Sequence, residues 1–285
     1  MFSIHPLGPH LGSACALLDC EETALLLDTG FGYCAPSALT QLRGLLGDRP
    51  LDGILLSHSH YDHVDGLSCF RDAYPDAPVL ASKVAAEILR RPHALARMAS
   101  LDAAAAQDDG FPPLPSLRPP VIDRTLEDGE RFSLGVLSIR AVATPGHTRC
   151  SMSFFFPDLS LLCTSETTGV YADPSHLMPG MIVGYRMTLE ALDRSEALAP
   201  RWIYVPHNGL LDGQQREDYF RDAREATLWT GALIRRMYAA GASEAEMLDA
   251  YRARAYPAGC LQPERAFLLN ARAMIDRLTA ELCEA

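Results

Sequence analysis

"LLSHSHYDHVDG", residues 55–66, sets His58, His60 and His63 with Asp62 and Asp65 directly behind an apolar run. The chain has nine histidines in 285 residues, and a third of them fall within this one stretch. A hydrophobic core gains nothing from such density, because each buried imidazole or carboxylate must be hydrogen-bonded or neutralised. A metal ion does gain, since imidazole and carboxylate are ligand types preferred by zinc, iron and manganese. Along an extended segment, alternation would place His58, His60 and Asp62 on one side, and a following turn would bring His63 to a second point. Four ligand-type side chains from so short a segment exceed what one tetrahedral ion takes comfortably. The motif therefore predicts a pair of ions.

The sequence around the motif alternates strands with helices. "ALLLDTGFG" (24–32), "DGILLSH" (52–58) and "APVLAS" (77–82) are short apolar runs of buried-strand length. Between the first two, "PSALTQLRGLLG" (36–47) carries Leu39, Leu42, Leu45 and Leu46 at helical spacing, and "KVAAEILRR" follows the third. This order predicts an α/β layered architecture. Further on, "GERFSLGVLSIRAVAT" (129–144) reads as paired strands, "SMSFFFPDLSLLCT" (151–164) as a hairpin and "RWIYVPHNG" (201–209) as a last strand. Residues from about 89 to 120 interrupt the rhythm, and "FPPLPSLRPP" (111–120) is too proline-rich for helix or central strand. An excursion of that length reads as a lid or binding loop.

From about residue 213 helices dominate. One ends at Gly241, and the next opens with a capping box from Ser243 to Glu246. The last bears Phe267, Ala271, Met274, Ile275, Leu278 and Leu282 on one stripe, which serves either core packing or a homodimer face. The expected division is residues 1–212, with a lid-like insertion at about 89–120, followed by a helical extension over 213–285.

Composition narrows the function class. A net charge of -11 argues against a nucleic-acid surface, whose affinity comes from basic side chains. The N-terminal stretch lacks the pattern of a signal peptide, and no apolar run approaches the ~20 residues of a membrane span. The eight cysteines are scattered without a C-x-x-C pair, as expected of reduced thiols in the cytoplasm. A small-molecule substrate, rather than nucleic acid or membrane, is the expected partner.

Three more ligand-type residues sit at predicted strand ends: His147 in "ATPGHTRCS", Glu166 in "LLCTSETTG" and His207 in "YVPHNG". With H-x-H-x-D-H at 58–63 and D-T-G at 28–30, the order resembles the metallo-β-lactamase-fold hydrolases. Within them it is most similar to the glyoxalase II-like and quinolone-signal-thioesterase-like branch. The resemblance runs from the N-terminal strands to His207 and implies a four-layer αββα sandwich, to which the C-terminal helices are an extension. It implies one metal at His58, His60 and His147, and a second at Asp62, His63 and His207. Asp28 would orient ligands from behind by hydrogen bonding, and Asp62 would also take up a proton during turnover. Where the family usually carries a bridging Asp in G-D-T, this chain has Ser165-Glu166-Thr167. Glu166 keeps the carboxylate but reaches one methylene further, which bears on metal separation and identity. Zinc is foremost for the two divalent ions, with iron or manganese as alternatives.

The reaction so implied is hydrolysis, with hydroxide activated between two metals attacking an acyl-CoA or glutathione thioester, or a related ester or lactone. Arg149, after His147, has the guanidinium to hold an anionic group, and His10 in "GPHLGS" is a candidate for the pocket lining. Two other readings remain open: a metal-containing regulatory or binding protein whose hydrolysis is dispensable, and a di-iron oxygen-activating protein.

Overall fold

The computed structural model describes residues 1–9, 13–112, 119–260 and 262–283. His10 lies outside the described residues, so its expected place at the pocket has no structural counterpart. The first sheet has six strands in sequence order: β1 (Phe2–Pro6), β2 (Ala16–Cys20), β3 (Thr23–Leu27), β4 (Gly53–Leu55), β5 (Val79–Ser82) and β6 (Arg124–Leu126). Its first three strands pair antiparallel and the rest parallel. The second sheet is formed by β7 (Arg131–Leu134), β8 (Leu137–Ala143), β9 (Met152–Phe156), β10 (Leu161–Cys163), β13 (Trp202–Val205) and β14 (Gly209–Leu210), and a separate hairpin by β11 (Val170–Asp173) and β12 (His176–Met178).

The side-chain alternation of strands sorts the apolar runs into layers. Leu25 and Leu27 face the second sheet and pack with Phe154, Phe156 and Leu161, whereas Leu26 faces the opposite way. There it meets Leu42 and Leu46 of α1 (Ala35–Leu46) and Phe70 of α3 (Leu67–Ala73). Ile54 and Leu55 split in the same manner. Fully burying side chains such as Phe70 and Phe156 contributes roughly 1.5–3 kcal/mol each. On the far side of the second sheet, Ile203 and Val205 turn outward to Tyr219 at the start of α7 (Gly213–Ala239). The result is helix, sheet, sheet, helix.

The alanine-rich part of the expected excursion is not a loop. Residues Pro92–Asp108 form α5, opened by Pro92 in the first turn, where a missing N–H does no harm. Met98 packs into the core with α1 and α3, and the Asp102 carboxylate accepts a hydrogen bond from the Gly32 N–H at 2.8 Å. Alanine's high helix propensity outweighs the prolines, which begin only after the helix has ended. Of the proline stretch, residues 113–118 lie outside the described residues.

The C-terminal helices α7, α8 (Glu244–Ala255) and α9 (Glu264–Cys283) pack on one another and on β12. The capping box at Ser243 and Glu246 forms as expected, and Gly241 takes the left-handed conformation (φ 76°) that ends α7. Phe267, Ala271, Met274, Ile275 and Leu278 are all buried within the chain, against Leu233 and Ile234 of α7 and Met247, Leu248 and Tyr251 of α8. The stripe is therefore core, and it offers no support for a dimer face; the Leu282 side chain lies outside the described residues. Among the described residues no helix is long and apolar enough to cross a membrane, and the seven cysteines whose side chains are described are free thiols.

Candidate metal centre

The histidine motif begins where β4 ends and lies along the edge between the two sheets. His60 is extended, but at Tyr61 the chain enters the short helix α2 (Tyr61–Val64), with the His60 carbonyl accepting from the His63 and Val64 N–H groups. The helical turn breaks the alternation expected through Asp62. It carries Asp62 away from His58 and His60 and towards His63, so the motif divides between two donor groups. One is His58, His60 and His147, and the other is Asp62, His63, Glu166 and His207; within each, the nearest donor atoms lie within 4.8 Å of one another.

Hydrogen bonds behind the imidazoles set which nitrogen faces inward. Asp28, itself in the left-handed region (φ 52°), accepts from the Ser57 N–H at 2.7 Å, from Ser57 Oγ at 2.7 Å and from His63 Nδ1 at 2.8 Å. A carboxylate only accepts, so His63 carries its proton on Nδ1 and turns Nε2 to the site. Ser57 has a single hydroxyl proton and gives it to Asp28. It can therefore only accept from His58 Nδ1, 3.0 Å away, which leaves the His58 Nε2 lone pair facing inward. His147 donates from Nδ1 to the Gly180 carbonyl at 3.0 Å and presents Nε2, 3.0 Å from His60 Nδ1. Such partners fix tautomer and ring orientation in metal sites.

Glu166 stands between the two groups. It follows apolar β10 and opens a 3₁₀ turn, Glu166–Thr168. Its Oε1 lies 2.6 Å from His63 Nε2 and 3.0 Å from His207 Nε2, while Oε2 lies 3.3 Å from His147 Nε2. Asp62 Oδ2 sits 3.7 Å from both His63 Nε2 and His207 Nε2. His207 holds φ 67°, an uncommon backbone conformation for a side chain of its size. Asn208 holds it there: its amide accepts from the Tyr171 N–H at 2.8 Å and donates to the Tyr171 carbonyl at 2.9 Å.

The protonation pattern follows from burial and neighbours. Burial, then the surrounding imidazoles, hold His58 well below the usual histidine range, and burial with His147 brings His60 down to about 4. Burial also lowers His147, against the pull of Glu166. For His63 burial is outweighed by Asp28, Asp62 and its hydrogen bonds to Asp28 and Glu166, which raise it; for His207 the Glu166 carboxylate does the same. Burial would push Glu166 up, but His147 and His207 overcome it and hold the carboxyl well below its usual range. One group thus offers three neutral imidazoles, and the other two imidazoles and two carboxylates. His58 Nε2 is buried and has no hydrogen-bond partner among the described residues, which is costly unless a cation takes its lone pair. The donor set fits two metal ions.

Every ligand-type residue singled out in the sequence, Asp28, His58, His60, Asp62, His63, His147, Glu166 and His207, converges here. Arg149 does not join them: it is exposed, and among the described residues it has no ionic partner. Ser57, Gly180 and Asn208 were not foreseen. Ser57 and Asn208 adjoin ligand histidines in sequence, whereas nothing local marks Gly180. A Cβ there would lie 1.6 Å from the Glu166 carbonyl oxygen, so only glycine lets its carbonyl reach His147.

Comparison with known proteins agrees with this architecture. The profile of the metallo-beta-lactamase superfamily matches residues 8–207. A hydroxyacylglutathione hydrolase of Brucella anthropi is 28% identical over 117 residues, 41% of this chain and 33% of that protein. The chain thus spans about a third of that curated relative. Among solved structures, a metallo-beta-lactamase superfamily protein from Sulfolobus tokodaii shares 20% identity with a TM-score of 0.64, covering 98% of both chains. A metallo-beta-lactamase family protein from Thermus thermophilus shares 20% identity with a TM-score of 0.66, covering 100% of this chain and 93% of that one. At such identity these two speak to the fold. With the profile spanning most of its length and the histidine motif in place, the chain belongs to the metallo-beta-lactamase superfamily.

Proposed function

We propose that this protein is a dinuclear-metal hydrolase acting on a thioester or a related ester or lactone. The observation that carries the reading is Glu166, whose two carboxylate oxygens face different donor groups. His58, His60 and His147 would hold one ion, Asp62, His63 and His207 the other, with Glu166 shared. Divalent ions bound there would polarise the bond under attack and bring a water's pKa down towards ~7. Asp28 and Ser57 keep His58 and His63 in the tautomers that present Nε2, and the Gly180 carbonyl does so for His147. Asp62 is the more exposed of the two site carboxylates, at 20% of its side chain against 8% for Glu166, and is the group placed to exchange a proton with solvent. Arg149 remains a candidate for holding an anionic part of the substrate from the surface.

Thioester cleavage is favoured because the curated relative is named a hydroxyacylglutathione hydrolase. We assign the chemistry to residues 1–212 and the covering of the site to residues 213–285. The test is elemental analysis of protein purified without added metal, followed by hydrolysis of S-lactoylglutathione, acyl-CoA thioesters and lactones. Two equivalents of zinc with turnover of one of these classes is the expected result. Fewer than one equivalent after reconstitution overturns the two-ion mechanism. Two equivalents of iron with oxygen-dependent chemistry and no hydrolysis overturns the hydrolase.

A further inference from the structure

A narrow pocket with a cavity volume of about 30 Å³ joins the candidate metal centre to the C-terminal helices. His147 and Glu166 form one end; Tyr251 of α8 and Phe267, Ala271 and Met274 of α9 line the other. The hairpin side contributes Val170, Met178 and Met181. Among the described residues no lysine or arginine lines it, and beyond the metal donors its polar side chains there are Asn270, Gln262 and the Tyr251 phenol. A pocket reaching the ligand residues takes a group covalently attached to the bond being broken. At about 30 Å³ it holds roughly two waters as it stands, so an apolar group enters only as the flexible methionine side chains lining it move aside.

The lining decides which side of a thioester enters. Coenzyme A and glutathione leaving groups carry phosphates or carboxylates, and a charged group moved into an apolar site without a basic partner is strongly disfavoured. We infer that the pocket receives the acyl side of the substrate, and that this acyl group is an uncharged apolar chain or ring, with Asn270 available to one polar substituent. This rests on the hydrolase reading and goes beyond it by naming the substrate class. Met178, Met181 and Met274 suit such a role, because unbranched thioethers adapt to irregular apolar shapes and pack well on rings.

The test separates binding from turnover. Calorimetric titration of chelator-treated protein with S-hexanoyl- and S-acetyl-N-acetylcysteamine reads acyl preference without hydrolysis. Each buried methylene tightens binding by about fourfold at most, so the hexanoyl probe should bind at least about tenfold tighter than the acetyl. Ala271→Leu, which fills the pocket, and Met274→Gln, which keeps its length but makes it polar, should each reduce that ratio to about threefold or less. Using both guards against one variant failing to fold, which circular dichroism checks. A ratio near one in the native chain, or a native-like ratio in both folded variants, overturns the inference. If metal-free protein discriminates but metal-loaded protein hydrolyses neither thioester, the pocket assignment stands and the hydrolase reading falls.

Discussion

Asp28→Asn exchanges one acceptor oxygen for an amide donor, and the hydrogen bonds around residue 28 determine how the site responds. The Ser57 N–H at 2.7 Å needs an acceptor, so the remaining carbonyl oxygen stays with it. The amide nitrogen then faces Ser57 Oγ and His63 Nδ1, both of which donate to the native carboxylate. To avoid two donor–donor contacts, Ser57 must accept instead, and His63 must move its proton from Nδ1 to Nε2. The Ser57 hydroxyl proton then turns to His58 Nδ1, 3.0 Å away, and that histidine also carries its proton on Nε2. One substitution thus protonates the site-facing nitrogen in both donor groups. Lost partners of this kind cost roughly 10–100-fold in metal affinity. Two hydrogen bonds to a buried charge, each worth about 1.5–3 kcal/mol and partly recovered by the rearrangement, put the stability loss of the metal-free protein at about 2–4 kcal/mol. Competition with a chromophoric chelator reads the affinity for each equivalent, and urea unfolding of metal-free protein reads the stability. Native affinity at both equivalents, within about threefold against the 10–100-fold expected, would refute the tautomer argument.

Other perturbations test neighbouring parts of the site. Glu166→Gln should reduce bound metal from two equivalents towards one and lower kcat/KM by at least about 100-fold, read by elemental analysis and thioester hydrolysis. Gly180→Ala must push the Glu166 carbonyl away from a Cβ that would lie 1.6 Å from it, so a loss of at least about 2 kcal/mol in urea unfolding is expected, together with weaker metal binding. The metal-free protein should be most stable near pH 6.5, the ordinary histidine value. Below it, the unfolded chain takes up protons that buried His58, His60 and His147 resist; His60, brought down to about 4, accounts for at most about 3 kcal/mol of loss between pH 6.5 and 4. Above it, His63 and His207, raised by their carboxylates, and Asp65, pushed up to about 8 by burial and the nearby Asp102 and Asp62, keep protons that the unfolded chain has released, so stability falls as pH rises through their folded values. Thermal unfolding of chelator-treated protein across pH 4–9 checks this, and a monotonic profile would refute it.

The H-x-H-x-D-H stretch was legible because ligand chemistry is written in residue type, and a dense donor cluster after an apolar strand has few other uses. His147, Glu166 and His207 were legible for a related reason, since each ends a predicted strand and strand ends meet at one edge of a layered fold. The local path was less so. Alternation grouped Asp62 with His58 and His60, but the turn at Tyr61 gave it to His63, because a helical turn and an extended segment differ only in backbone dihedrals that a polar motif hardly constrains. The prolines of 111–120 likewise pulled the reading of 92–108 towards a loop, although its alanines make a helix.

Thus the sequence by itself picked out the layered α/β plan, the eight residues that converge at the candidate metal centre and the helical character of the C-terminal third. Apolar periodicity and side-chain chemistry are properties of short segments and survive without knowledge of their neighbours. Only the tertiary structure decided that Glu166 spans both donor groups, that Ser57 and Asp28 set two tautomers, that Gly180 lends its carbonyl to His147 and that the α9 stripe is core. It alone brought the apolar pocket of α8 and α9 to the candidate metal centre. Most of those relations join residues some 30 to 130 positions apart. They depend on how the layers close on each other, and close packing settles that for the whole chain at once.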